Sequence, residues 1–427
     1  MSNILFASIP LNGHIAPMLT IAEELVKNGH IVKWYSSNRF EEPITRTGAS
    51  FIGLKHAFDL TDELDLCFPE RMKMKGVKKA KYDTIKLCIE PIPLIIQDIE
   101  EVLLTFNADI IIADNFFWSA LVLKKKRQIP VVLIGISIFI MTSKDTAPQG
   151  TGLYPNNTLL GKIRNTLLNF IFKKIASVDL QIYYNRILTE KCKLPKLETH
   201  FTNLPEMCDL YLQCTIPSFE YPRSDLSKNV KFIGSKFQNY PKEFNLPKWW
   251  NCIKNTKKPI VHVTQGTLSL NLDDLIIPTC KALEGENVIV IASCGRKEMD
   301  SLIRESFKPN IFIESFIPYE LLFEHIDILI TNGGYGTVNI AMRYGVPVIV
   351  AGETEEKPEI AVRVEWSGLG INLKTSRPST KDIKGAVEEI LNNNSYRFKA
   401  IELSNEYKKY NTSELANNYI SEILNCK

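Results

Sequence analysis

Residues Asp327 to Lys357 read DILITNGGYGTVNIAMRYGVPVIVAGETEEK, a strand that empties into a glycine-rich turn and a helix, followed at once by a second strand and helix. Asp327 to Ile330 is a short apolar run of strand type, and Gly333, Gly334 and Gly336 allow the backbone to pass close to a bound group with no side chain in the way. The helical segment Thr337 to Tyr344 begins there. Its first amide groups have no internal partners and carry the positive end of the helix dipole, so the turn is a candidate anion site. A tight turn that uses glycine for geometry alone is the plainer reading. Context favours the site, because Val346 to Gly352 and Lys357 to Trp366 form a further strand and helix, with Glu353, Glu355 and Glu356 at the strand's carboxyl end. In open parallel sheets ligands bind at that end.

The same grammar opens the chain. Asn3 to Ile9 is a strand, PLNGHIAPMLT a turn into a helix that places Ile21, Leu25 and Val26 on its apolar side, Gly29 its stop, and Ile31 to Tyr35 a second strand. That is the length of one right-handed parallel unit. A later series alternates in the same way: Ile260 to Thr264, a helix near Leu275 to Leu283, Val288 to Ala292, a helix near Lys297 to Phe307, and Ile311 to Phe316. Between the two series, prolines at 217, 222, 241 and 247 interrupt continuous structure, although Val230 to Ile233 has strand character. The expected fold is α/β, with two doubly wound parallel-sheet, Rossmann-like domains facing across a cleft.

Composition agrees with an ordinary globular chain. It has 427 residues, 45% of them hydrophobic and 23% charged, enough for two domains of roughly 200 residues each. A net charge of +3 implies neither nucleic acid nor an acidic partner, and no groove-reading motif occurs. Nine cysteines are scattered without a C-x-x-C pair, which points away from zinc and towards reduced thiols in a cytoplasm. The amino terminus lacks a basic targeting region, and the longest apolar run, Val131 to Met141, is too short to span a membrane.

The first turn contains only Gly13, so the dinucleotide fingerprint G-x-G-x-x-G is absent and a nicotinamide dehydrogenase is disfavoured. It offers His14 instead, at a strand's carboxyl end and a helix's amino end, where the dipole disfavours an imidazolium and keeps the ring able to act as a base. A lone turn histidine is more often structural, so it needs a partner. ADIIIAD, Ala108 to Asp114, is a short apolar strand that ends in a carboxylate on the same edge of the same sheet and continues as NFFWSALVL, of helical type. Asp114 can accept the second imidazole N–H and fix the tautomer, or it can merely cap the following helix. No G-x-S-x-G elbow supports an acyl-enzyme.

Leu54 to Leu104 is irregular and lysine-rich around Arg71 to Lys86, and reads as loops and helices over a pocket. LLGKIRNTLLNFIFKKIAS, Leu159 to Ser177, carries apolar residues at helical spacing among Lys162, Arg164, Lys173 and Lys174. Either segment can touch an anionic membrane surface, making peripheral membrane contact an open possibility. The commoner meaning of such a pattern is a solvated helix over a core.

NGHIAPML, ADNFFW, VTQGTLS, FIPYELLF and TNGGYGT, taken in order with the acidic segment that ends in Glu356 and Lys357, resemble the GT-B-fold glycosyltransferases that include plant and bacterial sugar-nucleotide-dependent natural-product enzymes. The resemblance spans both halves. It implies an acceptor-binding domain over 1–215, a linker over 216–248, a nucleotide-sugar domain over 249–400 and a helix over 401–427 returning to the first domain. It implies His14 as the base that deprotonates the acceptor hydroxyl, Asp114 as its carboxylate, and inversion at the sugar's anomeric carbon. Gly266 and Thr267 resemble the second domain's first phosphate-side loop, Gly334, Gly336 and Thr337 the diphosphate turn, and Phe316 the position of a nucleobase platform. Asn332 stands where a histidine commonly meets the diphosphate, Ile340 where a glutamate often holds ribose hydroxyls, and Lys357 beside Glu356 where glutamine usually helps hold the sugar. Those departures open dTDP beside UDP and a modified sugar beside glucose. The implied enzyme is a cytoplasmic hexosyltransferase that needs neither cofactor nor metal and acts on a small hydrophobic hydroxyl acceptor. The alternatives are a sugar-nucleotide epimerase or hydrolase, and a non-catalytic sugar-nucleotide-binding auxiliary protein.

Overall fold

A computed structural model describes residues 1–61, 64–236, 244–266, 271–295 and 307–425. Its chain forms two units, Met1–Gln238 with Tyr410–Lys427, and Asn239–Lys409. Thirteen strands lie in chain order among the described residues: β1 Asn3–Ala7, β2 Ile31–Ser36, β3 Ser50–Gly53, β4 Ile110–Asp114, β5 Val131–Gly135, β6 Leu210–Gln213, β7 Val230–Phe232, β8 Ile260–Thr264, β9 Ile289–Ser293, β10 Ile311–Glu314, β11 Ile328–Thr331, β12 Val348–Val350 and β13 Gly370–Asn372. The helices used below are α1 Asn12–Lys27, α2 Gly76–Asp83, α3 Ser119–Arg127, α4 Leu159–Ile171, α5 Val178–Arg186, α6 Ile276–Leu283, α7 Tyr335–Tyr344, α8 Lys357–Trp366, α9 Asn394–Tyr407 and α10 Thr412–Asn425.

Sheet A of unit 1 runs β3-β2-β1-β4-β5-β6-β7, and sheet B of unit 2 runs β10-β9-β8-β11-β12-β13, with parallel pairing throughout. Strand order reverses between β1 and β4 in the first and between β8 and β11 in the second, and these are the points where the loops at the carboxyl edge diverge and leave a crevice. Both faces of sheet A are covered. Leu5, Ala7, Ile111 and Ala113 enter one core, while Ile4, Phe6, Ile110 and Ile112 enter the other, which is why these strands read as unbroken apolar runs. In unit 2, Val261, Val263, Ile328 and Ile330 form the centre of a third core.

Local signals explain most boundaries. Gly29 takes φ +84° just past α1, and Gly345 takes φ +70° at the end of α7, a left-handed turn that glycine enters without a Cβ penalty. Two readings change, and a third falls outside the described residues. β7 lies within the proline-punctuated stretch read as a connection, and it pairs with β6 as the last strand of sheet A. The expected carboxyl-terminal helix is two helices: α9 packs on α7 in unit 2, and α10 packs on α1 and β6 in unit 1. The helix expected near Lys297 to Phe307 falls almost wholly outside the described residues, as does Thr267. Among the described residues no helix is long and apolar enough to cross a membrane.

Candidate active site

In unit 1 the β1–β4 register sets the geometry. Ala7 lies opposite Ala113, so the chain leaving β1 and the last residue of β4 emerge side by side. α1 starts after Leu11, whose backbone is extended, and His14 falls in its first turn with the His14 amide donating to the Leu11 carbonyl at 2.9 Å. His14 Nδ1 lies 3.0 Å from Asp114 Oδ1, and its side chain is 17% exposed while that of Asp114 is fully buried.

The carboxylate is held from several sides. Its Oδ2 accepts from the Ile9 amide at 2.8 Å, and its Oδ1 accepts from the Phe116 amide at 2.9 Å. A carboxylate can only accept, so Nδ1 is the donor of the pair and Nε2 carries the ring's lone pair. Nε2 has no hydrogen-bond partner among the described residues. Phe116 packs its ring 5.8 Å from the imidazole, which limits tilt. Asp114 is not the cap of the following helix. NFFW forms a turn, and α3 begins at Ser119 behind the Trp118 cap residue. Arg39, which the sequence offered no reason to single out, donates to the Pro10 carbonyl and stacks over Phe40, fixing the loop that carries His14. Nothing local marks that contact, because the partners come from different strand–helix units.

In unit 2 the β11–β8 register places Thr331 opposite Thr264, so Gln265, Gly266 and Asn332 meet at the switch point. Asn332 is buried and its Nδ2 donates to the Gln265 carbonyl, which commits part of the amide to joining the two loops. Gln265 in turn accepts from the Ile276 amide at 3.0 Å, and so ties the loop to α6. Gly266 takes φ +68°.

The three glycines of the cradle have different duties. Gly333 takes φ +90°, and a Cβ there would lie 2.7 Å from Val350 Cγ1, so this glycine serves backbone geometry and packing. Gly334 has φ −60° and a Cβ there would meet nothing closer than the Thr337 hydroxyl at 3.8 Å, so the open space against the main chain is at Gly334. Gly336 and Thr337 lie inside the first turn of α7, which begins two residues earlier than its sequence suggests and has no acidic residue to offset its dipole. The Thr337 hydroxyl faces that of Tyr319, whose phenol is raised above its ordinary pKa by burial.

The loop after β12 is locked to this turn. A Cβ on Gly352 would come within 2.0 Å of the Asn332 carbonyl oxygen, so only glycine permits the approach. Glu355 sits at φ +58°, a left-handed conformation that costs an ordinary residue about 1–2 kcal/mol, and its carboxylate meets Lys357 Nζ at 2.7 Å. Lys357 is buried at the start of α8, with Thr354 Oγ1 also 3.2 Å from Nζ. Glu356 is the cap residue of that helix. Phe316, after β10, is 45% exposed and meets Phe244 edge-on at 6.4 Å. Ile340 is buried on α7.

A family profile described as the erythromycin biosynthesis protein CIII-like C-terminal domain matches residues 275–420. The chain is 37% identical over 408 residues to 4'-demethylrebeccamycin synthase of Lentzea aerocolonigenes, covering 95% of this chain and 96% of that one. It is 30% identical over 426 residues to UDP-glycosyltransferase 2 of Phaeomoniella chlamydospora, covering 95% and 92%. This chain belongs to the nucleotide-sugar-dependent glycosyltransferases. The glycosyltransferase of kitacinnamycin has the same fold, with a TM-score of 0.73 at 16% identity over 97% of both chains. As a member of this family the protein is a glycosyltransferase of GT-B fold, and its substrates are a nucleotide-sugar donor and an acceptor.

Proposed function

We propose that this glycosyltransferase moves a hexose, with inversion, from a UDP- or dTDP-sugar to a hydroxyl of a small apolar natural product or lipid, with His14 as base and Asp114 as its partner. His14 Nε2 takes the acceptor's proton while the acceptor oxygen forms its bond to the anomeric carbon. The bond from that carbon to the diphosphate oxygen breaks, and its electron pair leaves with the nucleotide. Asp114 holds the tautomer that exposes Nε2 and balances the imidazolium once it forms.

The leaving diphosphate is received by Gly266, Gly334 and the first turn of α7 with Gly336 and Thr337, where main-chain N–H groups and the dipole favour developing negative charge. Thr267 belongs to the same assignment by sequence. Asn332 supports this loop through Gln265 and has its second amide hydrogen for the phosphate. Phe316 offers an aromatic face to the nucleobase. Glu356 and Lys357 are assigned to the sugar. No cofactor or metal is assigned a role, and the reaction is placed in the cytoplasm. Ile340 cannot bond a ribose hydroxyl, which admits a deoxyribose nucleotide. The natural-product acceptor class is supported by the name of the 37%-identical relative, and UDP by that of the 30%-identical one.

The observation that carries this reading is the 3.0 Å His14–Asp114 contact with the carboxylate locked by two main-chain amides. His14→Ala is expected to lower transfer about 10²–10⁴-fold while nucleotide still raises the melting temperature as in the parent protein. Retained turnover in that variant would remove His14 from the mechanism.

A further inference from the structure

α4 is amphipathic with its faces reversed. Its buried residues are Gly161, Asn165 and Asn169, at four-residue spacing, and they pack on the loop that precedes the helix. Asn165 Nδ2 donates to the carbonyls of Lys144 and Asn156 at 3.1 and 3.2 Å, and Asn169 Nδ2 to those of Ser143 and Thr146 at 2.9 and 3.1 Å. A Cβ on Gly161 would lie 2.6 Å from the Asn156 carbonyl oxygen, so the helix is pressed closely onto that loop. The amide hydrogens of both asparagines are thereby satisfied inside the protein.

The apolar face points outwards. Leu160, Ile163, Leu167 and Phe170 form one stripe, and Ile175 and Ile182 extend the exposed apolar surface through the following turn into α5, each between 58% and 79% exposed. The expectation of a solvated helix with its apolar side over a core is therefore corrected. Apolar periodicity marks a face, but here the asparagine ladder decides which face turns inwards.

Charge selects the occupant. From Leu159 to Val178 the chain carries Lys162, Arg164, Lys173 and Lys174 and no acidic residue. α2 adjoins this surface, because Lys81 Nζ reaches both carboxylate oxygens of Asp179 on α5 at 2.8 Å. Around α2, residues 72–86 hold six lysines against a single aspartate, with Met72 and Val77 exposed among them, while Arg71 is buried and paired with Asp65 and Asp83. A second copy of this chain seated symmetrically would set one basic fringe against another. Exposed Leu, Ile and Phe flanked by lysine match instead the boundary between acyl chains and anionic headgroups, where long basic side chains keep their charge in the headgroup layer.

We infer that unit 1 docks peripherally on anionic lipid bilayers through the outward face of α4, with the lysines around α2 and in the segment that follows α4 meeting the headgroups. This inference is independent of the catalytic assignment. It is tested by co-sedimenting the full chain with phosphatidylcholine vesicles, with and without phosphatidylglycerol. Binding is expected to be stronger with phosphatidylglycerol and to weaken as salt rises. The double variant Leu167→Glu/Phe170→Glu is expected to lower vesicle binding at least about tenfold. It should keep the parent's circular dichroism and nucleotide-induced thermal shift, since both side chains are exposed; Ile163→Glu is the milder companion if the double variant misfolds. Absence of binding to either vesicle, or unchanged binding by a folded variant, would overturn the inference. So would a wild-type dimer that the same substitutions dissociate, without vesicle binding.

Discussion

At the carboxyl edge of sheet A the candidate chemistry rests on two side chains, whereas at the matching edge of sheet B it rests mainly on main chain. His14 and Asp114 are single groups whose atoms must be placed individually, and the structure spends two amides and an aromatic ring on placing them. The β11–α7 turn needs no particular side chain at Gly334, only open space against N–H groups. In the proposed mechanism a proton passes to one defined lone pair, while a diphosphate spreads its charge over many oxygens. The difference between the two edges therefore follows from what each has to hold.

The largest expected effect bears on the side-chain edge. Asp114→Asn replaces an acceptor facing Nδ1 with an amide and removes the reason for Nε2 to be the lone-pair nitrogen, so kcat is expected to fall by ~10²–10⁴-fold with nucleotide affinity unchanged. A rate near the parent's would reduce Asp114 to a turn-former for Ile9 and Phe116, and the contrast between the two edges would collapse.

The main-chain edge is sharpened by two neighbouring glycines. Gly333→Ala must absorb both a left-handed backbone and a 2.7 Å contact with Val350, so a stability loss of about 3 kcal/mol is expected in thermal or denaturant melts. Gly334→Ala fits its backbone, so the melt should hardly move while nucleotide affinity, read by calorimetry, falls about tenfold. If the two variants exchange phenotypes, the division of labour within the turn is wrong.

The smallest effect concerns a second histidine, His262 on β8, which forms a foil to His14. Its Nδ1 donates to the Ile291 carbonyl at 2.9 Å, and burial lowers its pKa to about 4. Folding therefore holds it neutral while the unfolded chain takes up a proton below the ordinary histidine value of 6.5. Stability is fully present above that value and declines as pH falls towards about 4. At roughly pH 5.5 the loss from this group is on the order of 1 kcal/mol. His262→Asn, whose amide can donate to the same carbonyl, should flatten the pH dependence of melting; an unaltered slope would show that other groups set it.

The strand–helix alternation was legible because parallel strands covered on both faces read as short unbroken apolar runs ended by glycine or a polar turn. The His14–Asp114 contact was legible for a related reason: in a doubly wound sheet the carboxyl ends of the strands share an edge, and the alternation puts Asp114 at the end of its strand and His14 in the turn that follows the first one. What escaped is long-range or depends on choice of face. Arg39 meets Pro10 across two elements, and the commitment of the Asn332 amide to Gln265 requires the β8–β11 register. Gly333 and Gly334 look alike as letters, but only one has a positive φ. In α4 the spacing identified two faces, and nothing in it told which would find partners.

α10 carries Ala416 and Ile420 into the same core as Ile15, Met18 and Ile21 of α1. Everything in unit 2 is encoded between those two helices. On the ribosome, where chains grow from the amino end, sheet A can therefore assemble early but must wait with one flank of α1 uncovered until all of unit 2 has been made. That flank is closed only in chains whose second unit has been translated.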